Sequence, residues 1–158
     1  MLINPSPVLI FTYKRLEPLK QTVQALQKNI LAESSDLYIF SDGAKNETDI
    51  ERVNSVREYI KTVTGFKSVT IHESATNKGL ANSIIQGVTL LFEKSENVIV
   101  LEDDLLTTPN FLSFMNQALE KYKNASQVFS ISGYSFDLGK NIGPDSYFLN
   151  RGWSWGWA

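Results

Sequence analysis

Cysteine is absent from all 158 residues, which excludes a disulfide framework and any thiolate metal site and permits a reducing compartment. Neither sign of charge dominates: 15 basic and 17 acidic residues leave a net charge of −2, so no basic face announces a nucleic acid or other polyanion. Long apolar runs are missing too. The N-terminal stretch MLINPSPVLIFTYKR is too short for a signal h-region or a membrane span and is broken by Pro5 and Pro7. No GxGxxG, GxxxxGK[ST] or GxSxG occurs, which removes the obvious dinucleotide, P-loop and hydrolase readings. There is no internal repeat and no low-complexity tract. The one histidine, His72, sits in a strand-like run with nothing to pair it with a nucleophile, and reads as structural or surface-exposed.

What is present is an ordinary globular composition, 42% hydrophobic and 20% charged, in a chain long enough for one domain with a real core. A single unit over residues 1–158 is expected, regular to about residue 132 and loop-rich from 133 to 158. Short runs rich in β-branched and aromatic residues at Val8–Tyr13, Leu37–Ser41, Ser68–His72, Val98–Leu101 and Val128–Ser132 have strand length. Helical patterns lie between them. Leu16, Leu19, Val23, Leu26 and Ile30 share one face, with Pro18 allowed in the opening turn. Thr48 and Glu51 have capping-box spacing ahead of an Ile50, Val53, Val56 and Ile60 stripe. Leu80, Ile84, Val88 and Leu91 form a third stripe. Thr108 as N-cap and Pro109 at the first helical position open a fourth, which buries Phe111, Phe114, Met115, Ala118 and Tyr122.

This alternation predicts a three-layer α/β/α fold with a mainly parallel sheet, because parallel strands are buried on both faces and read as continuous apolar runs. In open α/β sheets ligands bind beyond the carboxyl ends of the strands. At those ends stand Thr12-Tyr13-Lys14-Arg15, Ser41-Asp42-Gly43, Asn77-Lys78-Gly79 and Glu102-Asp103-Asp104. If the topology holds, an arginine, a lone aspartate and three carboxylates line one edge.

Why should Val98-Ile99-Val100-Leu101, an apolar run, lead straight into three acids? Two unit charges ~4 Å apart repel by about 4 kcal/mol at an effective dielectric near 20, so something cationic or heavily solvated must meet them. A divalent cation qualifies, since Mg²⁺ is commonly held by one or two carboxylates plus substrate phosphates. The plainer reading makes Asp103 and Asp104 solvated acids ahead of a helix N-terminus. Asp42 has its own plain reading as turn chemistry in an Asp-Gly pair. Arg15 reads equally as a helix-start residue and Lys78 as a loop charge.

In order along the chain, PVLIFTYKR, YIFSDGAKNE, NKGLANSI, LEDDLLTTPNF, FSISGYSF and RGWSWGWA resemble a nucleotide-sugar-dependent glycosyltransferase of the GT-A fold, in the glycosyltransferase family 2-like group. The segment VIVLEDDLLTTPNFLSFMNQAL is similar to the corresponding region of N-acetylglucosaminyltransferase I. The resemblance spans almost the whole chain, and the acidic segment carries most of its specificity. It implies that Thr12, Tyr13 and Arg15 line the nucleotide pocket and that Asp42 bonds the base edge, with uracil favoured. Lys78 and Gly79 would bring a helix N-terminus near the nucleotide. Asp103 would lie by the ribose and phosphates, Glu102 would support the donor sugar, and Asp104 would ligate Mn²⁺ or Mg²⁺. The trio reads E-D-D where family 2 more often has D-x-D, which leaves the division between Asp103 and Asp104 open.

The resemblance further implies transfer with inversion from a nucleoside-diphosphate sugar, UDP favoured, to a hydroxyl on a carbohydrate or lipid-linked acceptor. It suggests polysaccharide synthesis in the cytoplasm, peripheral to the inner membrane face. The general base is expected beyond Ala158, downstream of the Trp/Gly-rich segment, so the chain is expected to be the donor half of a longer protein and inactive by itself. Asp137 and Asp145 precede that segment and read as loop acids. Trp153, Trp155 and Trp157 read either as an acceptor platform or as core residues, and an exposed Trp cluster predicts self-association. Two other classes stay open: a sugar-nucleotide nucleotidyltransferase, for which FTYKRLEP lacks the glycine-rich loop, and a non-catalytic nucleotide- or carbohydrate-binding module.

Overall fold

The strand β1, Val8–Thr12, is apolar at four of its five positions and buried at all of them, because it lies inside the sheet with helices on both sides. The computed structural model describes residues 4–136 and 147–158. Asp137 and Asp145 fall outside the described residues. Four strands, β1, β2 (Asp36–Ser41), β3 (Ser68–Glu73) and β4 (Ile99–Glu102), form an all-parallel sheet in the order β3-β2-β1-β4. Among the described residues four α-helices accompany them: α1 (Leu16–Gln27), α2 (Glu47–Ile60), α3 (Leu80–Phe92) and α4 (Phe111–Tyr122). The α/β class and parallel sheet are as the alternation predicts.

The pleat sorts the strand residues between two cores. Val8, Ile10, Leu37, Ile39, Ile99 and Leu101 pack with Leu19, Val23 and Leu26 of α1, Val56 and Ile60 of α2, and Leu112 and Met115 of α4. Leu9, Phe11 and Val100 point the other way and meet Ile84, Val88 and Leu91 of α3 together with Trp157. Gly87 is required in α3 by this second face, since a Cβ there would sit 2.7 Å from the buried Phe11 ring.

Several elements depart from the periodicity. Ile30 is 69% exposed because α1 stops at Gln27, so it is not part of the stripe. The helix α2 is capped at Asn46, with Thr48 Oγ1 donating to Asn46 Oδ1, so the Thr48–Glu51 capping box does not form and Ile50 faces solvent. The N-cap of α4 is Asn110, two residues after Thr108, and Pro109 lies outside the helix. Leu80 is 52% exposed and Phe114 39%. No fifth strand forms at 128–132, and residues 147–149 are irregular. Instead the C-terminal residues enter the sheet edge: Val100 and Trp157 exchange backbone hydrogen bonds of 2.7 and 3.1 Å, and Ile131 and Ala158 exchange bonds of 2.8 and 2.9 Å. Residues 156–158 thus run between β4 and residues 131–133. Trp157 thereby takes the core role of the two open to it, while Trp155 remains exposed.

His72 stacks on Phe40 at 4.6 Å between ring centroids, and its pKa is lowered by burial and then by the charge of Lys94. A base whose folded pKa is depressed stabilises the fold above its unfolded value and loses that contribution as pH falls, because the unfolded chain takes up the proton first. The melting temperature should therefore drop as pH falls below about 6.5, and His72→Phe should flatten that slope while keeping the stack. In the other core, Ile10→Ala should cost about 2–5 kcal/mol in urea unfolding, since Ile10 is wholly buried in the central strand.

Candidate nucleotide and cation site

Parallel register aligns the carboxyl ends of all four strands: Thr12 lies opposite Ser41, Ser41 opposite Glu73, and Phe11 opposite Glu102. The chain leaves β1 toward β2 and β3 on one side and returns to β4 on the other, so the order reverses between β1 and β4. A crevice at such a reversal is where open α/β sheets receive ligands. Residues 13–15 and 103–104 flank it.

Asp103 is 3% exposed. Its Oδ2 accepts from Thr12 Oγ1 at 3.0 Å, and its Oδ1 accepts from Arg15 Nη2. The other guanidinium nitrogen, Nη1, donates to Asp104 Oδ2 at 2.9 Å, so one half-exposed arginine spans two consecutive acids. Burial opposes the charge on Arg15, but its bonds to Asp103 and Asp104 win and hold its pKa above the ordinary value. Glu102, half-buried beside them, has its carboxyl pushed up by burial and then by the charges of Asp104 and Asp103. The cation that meets the acids among the described residues is therefore Arg15.

A second set of bonds fixes the neighbouring loops. Tyr13 donates its hydroxyl to Asp49 Oδ2 at 2.8 Å and accepts the Lys45 N–H at 2.9 Å, while Lys14 Nζ reaches Asp49 Oδ1 at 2.7 Å. Those bonds from Lys14 and then Tyr13 hold the Asp49 carboxyl below its usual range. Arg57 donates to Ser74 O at 2.7 Å and lies 3.4 Å from Asp42 O, tying α2 to the loops after β2 and β3. Asp42, 8% exposed, accepts four hydrogen bonds from residues 43 and 77–79. Lys78 Nζ is bonded to Gln86 Oε1 at 2.6 Å, and Gly79, with φ of 77°, is the N-cap of α3. The structure thus gathers Thr12, Arg15, Glu102, Asp103 and Asp104 into one cluster, turns Tyr13 toward α2, and joins Asp42, Lys78 and Gly79 into another.

Asp49 and Arg57 were not singled out from the sequence. Asp49 lies in the first turn of α2, where an acid suits the helix dipole and draws no notice. Arg57 had a visible signal: it stands four residues after Val53, on the stripe that the helix buries.

Among the described residues no group of three or more His, Cys, Asp or Glu side chains is arranged as a metal cage. The donor chemistry still suits a hard cation completed by a ligand's phosphates, since Asp104 offers an oxygen at the strand tip with its side chain 44% exposed. Residues 127–135 and 147–153 line an open pocket of about 770 Å³ against Phe111, Phe114 and Tyr122 of α4. Tyr134, Phe136, Trp153 and Trp155 form edge-on aromatic contacts nearby.

No protein-family model and no curated protein matches the sequence. Solved structures do match. The mannosyltransferase PcManGT from Pyrobaculum calidifontis, in complex with GDP-Man and Mn²⁺, superposes with a TM-score of 0.58 at 16% identity over 83% of this chain. TarS from S. aureus gives a TM-score of 0.52 at 14% identity, and its 1–349 form 0.53 at 13%, each over 75% of this chain. The chain spans 37%, 20% and 33% of the chains in those three structures respectively. Its fold is a GT-A-like glycosyltransferase fold.

The double contact of Arg15 makes a stability prediction. Arg15→Met should destabilise the protein by about 1–3 kcal/mol, below the cost of breaking a fully buried pair because the guanidinium is half-exposed. Arg15→Lys should recover only part, since an ammonium cannot fork across two carboxylates. Denaturant titration at low salt measures both.

Proposed function

We propose that the chain binds the nucleoside-diphosphate part of a sugar donor, with a divalent cation, at the β1/β4 crevice, as the donor-binding part of a glycosyltransferase. The observation that carries this is the Arg15–Asp103–Asp104 cluster at the reversal of strand order. A forked cation and a half-exposed acid, side by side, suit a metal-bound diphosphate: the guanidinium can pair with phosphate oxygens and the carboxylate with the cation. PcManGT, with the same fold, binds GDP-Man and Mn²⁺.

In this reading Asp104 ligates Mn²⁺ or Mg²⁺, and the cation's chemistry is to draw charge from the leaving diphosphate. Thr12 holds Asp103 in place beside the ribose and phosphates. Arg15 exchanges its bond to Asp104 for one to the diphosphate. Glu102, whose carboxyl is pushed up by burial and then by Asp104 and Asp103, stands beside them to support the donor sugar. Lys78 lies on the loop leading into α3 and can swing from Gln86 toward the nucleotide. Transfer goes with inversion to a hydroxyl of a carbohydrate or lipid-linked acceptor, for which the aromatic cluster of Trp153 and Trp155 offers stacking faces. A membrane-carried acceptor would set the protein at the cytoplasmic membrane face as a peripheral partner, and no helix among the described residues is long and apolar enough to cross a membrane.

Calorimetry with UDP, GDP and their sugars, with and without Mn²⁺, tests this. Metal-dependent diphosphate binding is expected, and Asp104→Ala should lower it by at least about tenfold, to the metal-free level, with the fold intact. Unchanged metal-dependent affinity in that variant would remove Asp104 from the site, and a preference for nucleoside triphosphates would favour a nucleotidyltransferase.

A further inference from the structure

Arg57 takes no part in the cluster at the β1/β4 crevice, yet it sets a cation at the carboxyl ends of the other two strands. Its side chain is only 19% exposed. Nη2 donates to Ser74 O at 2.7 Å and lies 3.4 Å from Asp42 O, Nε lies 3.4 Å from Ser41 Oγ, and Nη1 lies 3.6 Å from Glu73 Oε2. Three of these four acceptors are uncharged, and the one acid is the most distant. The guanidinium therefore serves geometry more than charge pairing. A planar fork with five donors can hold several acceptors at once, which an ammonium on a flexible stem cannot.

What the fork holds is the backbone of Asp42 against the loop that follows β3. The Asp42 N–H donates to Thr12 O at 3.0 Å, which ties it to the end of β1, while its carbonyl meets Arg57. Ser74 donates its N–H to Ser41 O at 2.9 Å and takes the Arg57 bond at its own carbonyl. Three residues further on, Asn77 Nδ2 donates to Asp42 Oδ2 at 3.0 Å and to Gly43 O at 2.9 Å. Between those two ties the loops touch backbone to backbone: a Cβ at Gly43 would stand 2.4 Å from the carbonyl carbon of Thr76. The loop is thus fastened by Arg57 at its root and by Asn77 at its tip.

Strand order separates this arrangement from the acidic cluster, since the contacts of Arg57 lie at β2 and β3 and the crevice lies at β1 and β4. We propose that Arg57 is a positioning residue for base selectivity: by holding Asp42 and residues 74–77 together it sets where a base edge is met, and it takes no part in holding the cation or the diphosphate. This rests on the proposed donor site, with Asp42 at the base edge as the sequence resemblance implies. Hydrogen-bond discrimination needs an acceptor placed to within about 0.5 Å, whereas attraction between a cation and a diphosphate changes gently with distance.

The test measures affinities for UDP, CDP, GDP and ADP, each with and without Mn²⁺, in the full chain and in Arg57→Lys and Arg57→Gln. Circular dichroism checks folding. Lysine keeps the charge beside Glu73 without the fork, and glutamine keeps one donor group without the charge. In both variants the ratio between the tightest and the weakest nucleotide should fall by at least about fivefold, the scale of one hydrogen bond. The factor by which Mn²⁺ tightens each nucleotide should stay within about twofold of wild type, as expected for a distant site, and a general loosening of the fold would not leave it so. An unchanged base ratio in folded Arg57→Lys, or a loss of the Mn²⁺ factor in step with it, overturns the role of Arg57. If Arg57→Gln does not fold, Arg57→Lys decides on the same two ratios. A wild-type chain that takes all four nucleotides alike with Mn²⁺ leaves the donor site standing and overturns the selectivity role. One that binds none of them with Mn²⁺ overturns the donor site itself, and this inference with it.

Discussion

A buried carboxylate at the end of a buried strand cannot stand alone, and Asp103 does not. The parallel pairing of β1 with β4 sets Thr12 and Arg15 beside it, so the acid's two oxygens are met by a hydroxyl and a guanidinium from the adjacent strand's exit. Remove that pairing and the acids at 102–104 are left to repel one another, by about 4 kcal/mol for two unit charges ~4 Å apart at an effective dielectric near 20. Because the fork of Arg15 also reaches Asp104, a single side chain balances the pair, and it leaves the outer acid partly in solvent. One positive charge against two carboxylates leaves the cluster net negative, which a divalent cation could offset.

Around that centre the protein uses buried acids as fasteners. Asp49 collects Tyr13 and Lys14 and so fixes the exit from β1 just ahead of the residue that carries the fork. Asp42 collects residues 77–79, and Arg57 ties both loops to α2. Loops at strand ends have few apolar contacts of their own, and charge-assisted bonds are the strongest restraint open to them. Rigidity of the strands alone would not hold a site built on three separate loops.

The sheet was legible in the sequence because apolar runs such as VLIFT and VIVL have no other stable home than a strand covered on both faces. The helices were legible as stripes but not at their ends. Asn46 and Asn110 took the caps from Thr48 and Thr108, a choice made by local turn geometry that spacing does not encode. The run at 128–132 had strand composition, yet the C-terminal residues 156–158 occupy the place beside β4, a tertiary competition invisible along the chain. That the acidic trio needs a cationic partner was legible, because three carboxylates after an apolar strand repel one another. That Arg15 supplies one was not, since only the strand order brings positions 15 and 103 together.

The most direct test of the whole account is a crystal of this chain grown with Mn²⁺ and a nucleoside diphosphate, read by anomalous scattering. The account predicts a manganese peak at direct ligand distance from an Asp104 oxygen, with the diphosphate against Arg15 in the β1/β4 crevice. An open, ordered crevice without manganese or nucleotide density, or a peak bound elsewhere, would contradict it.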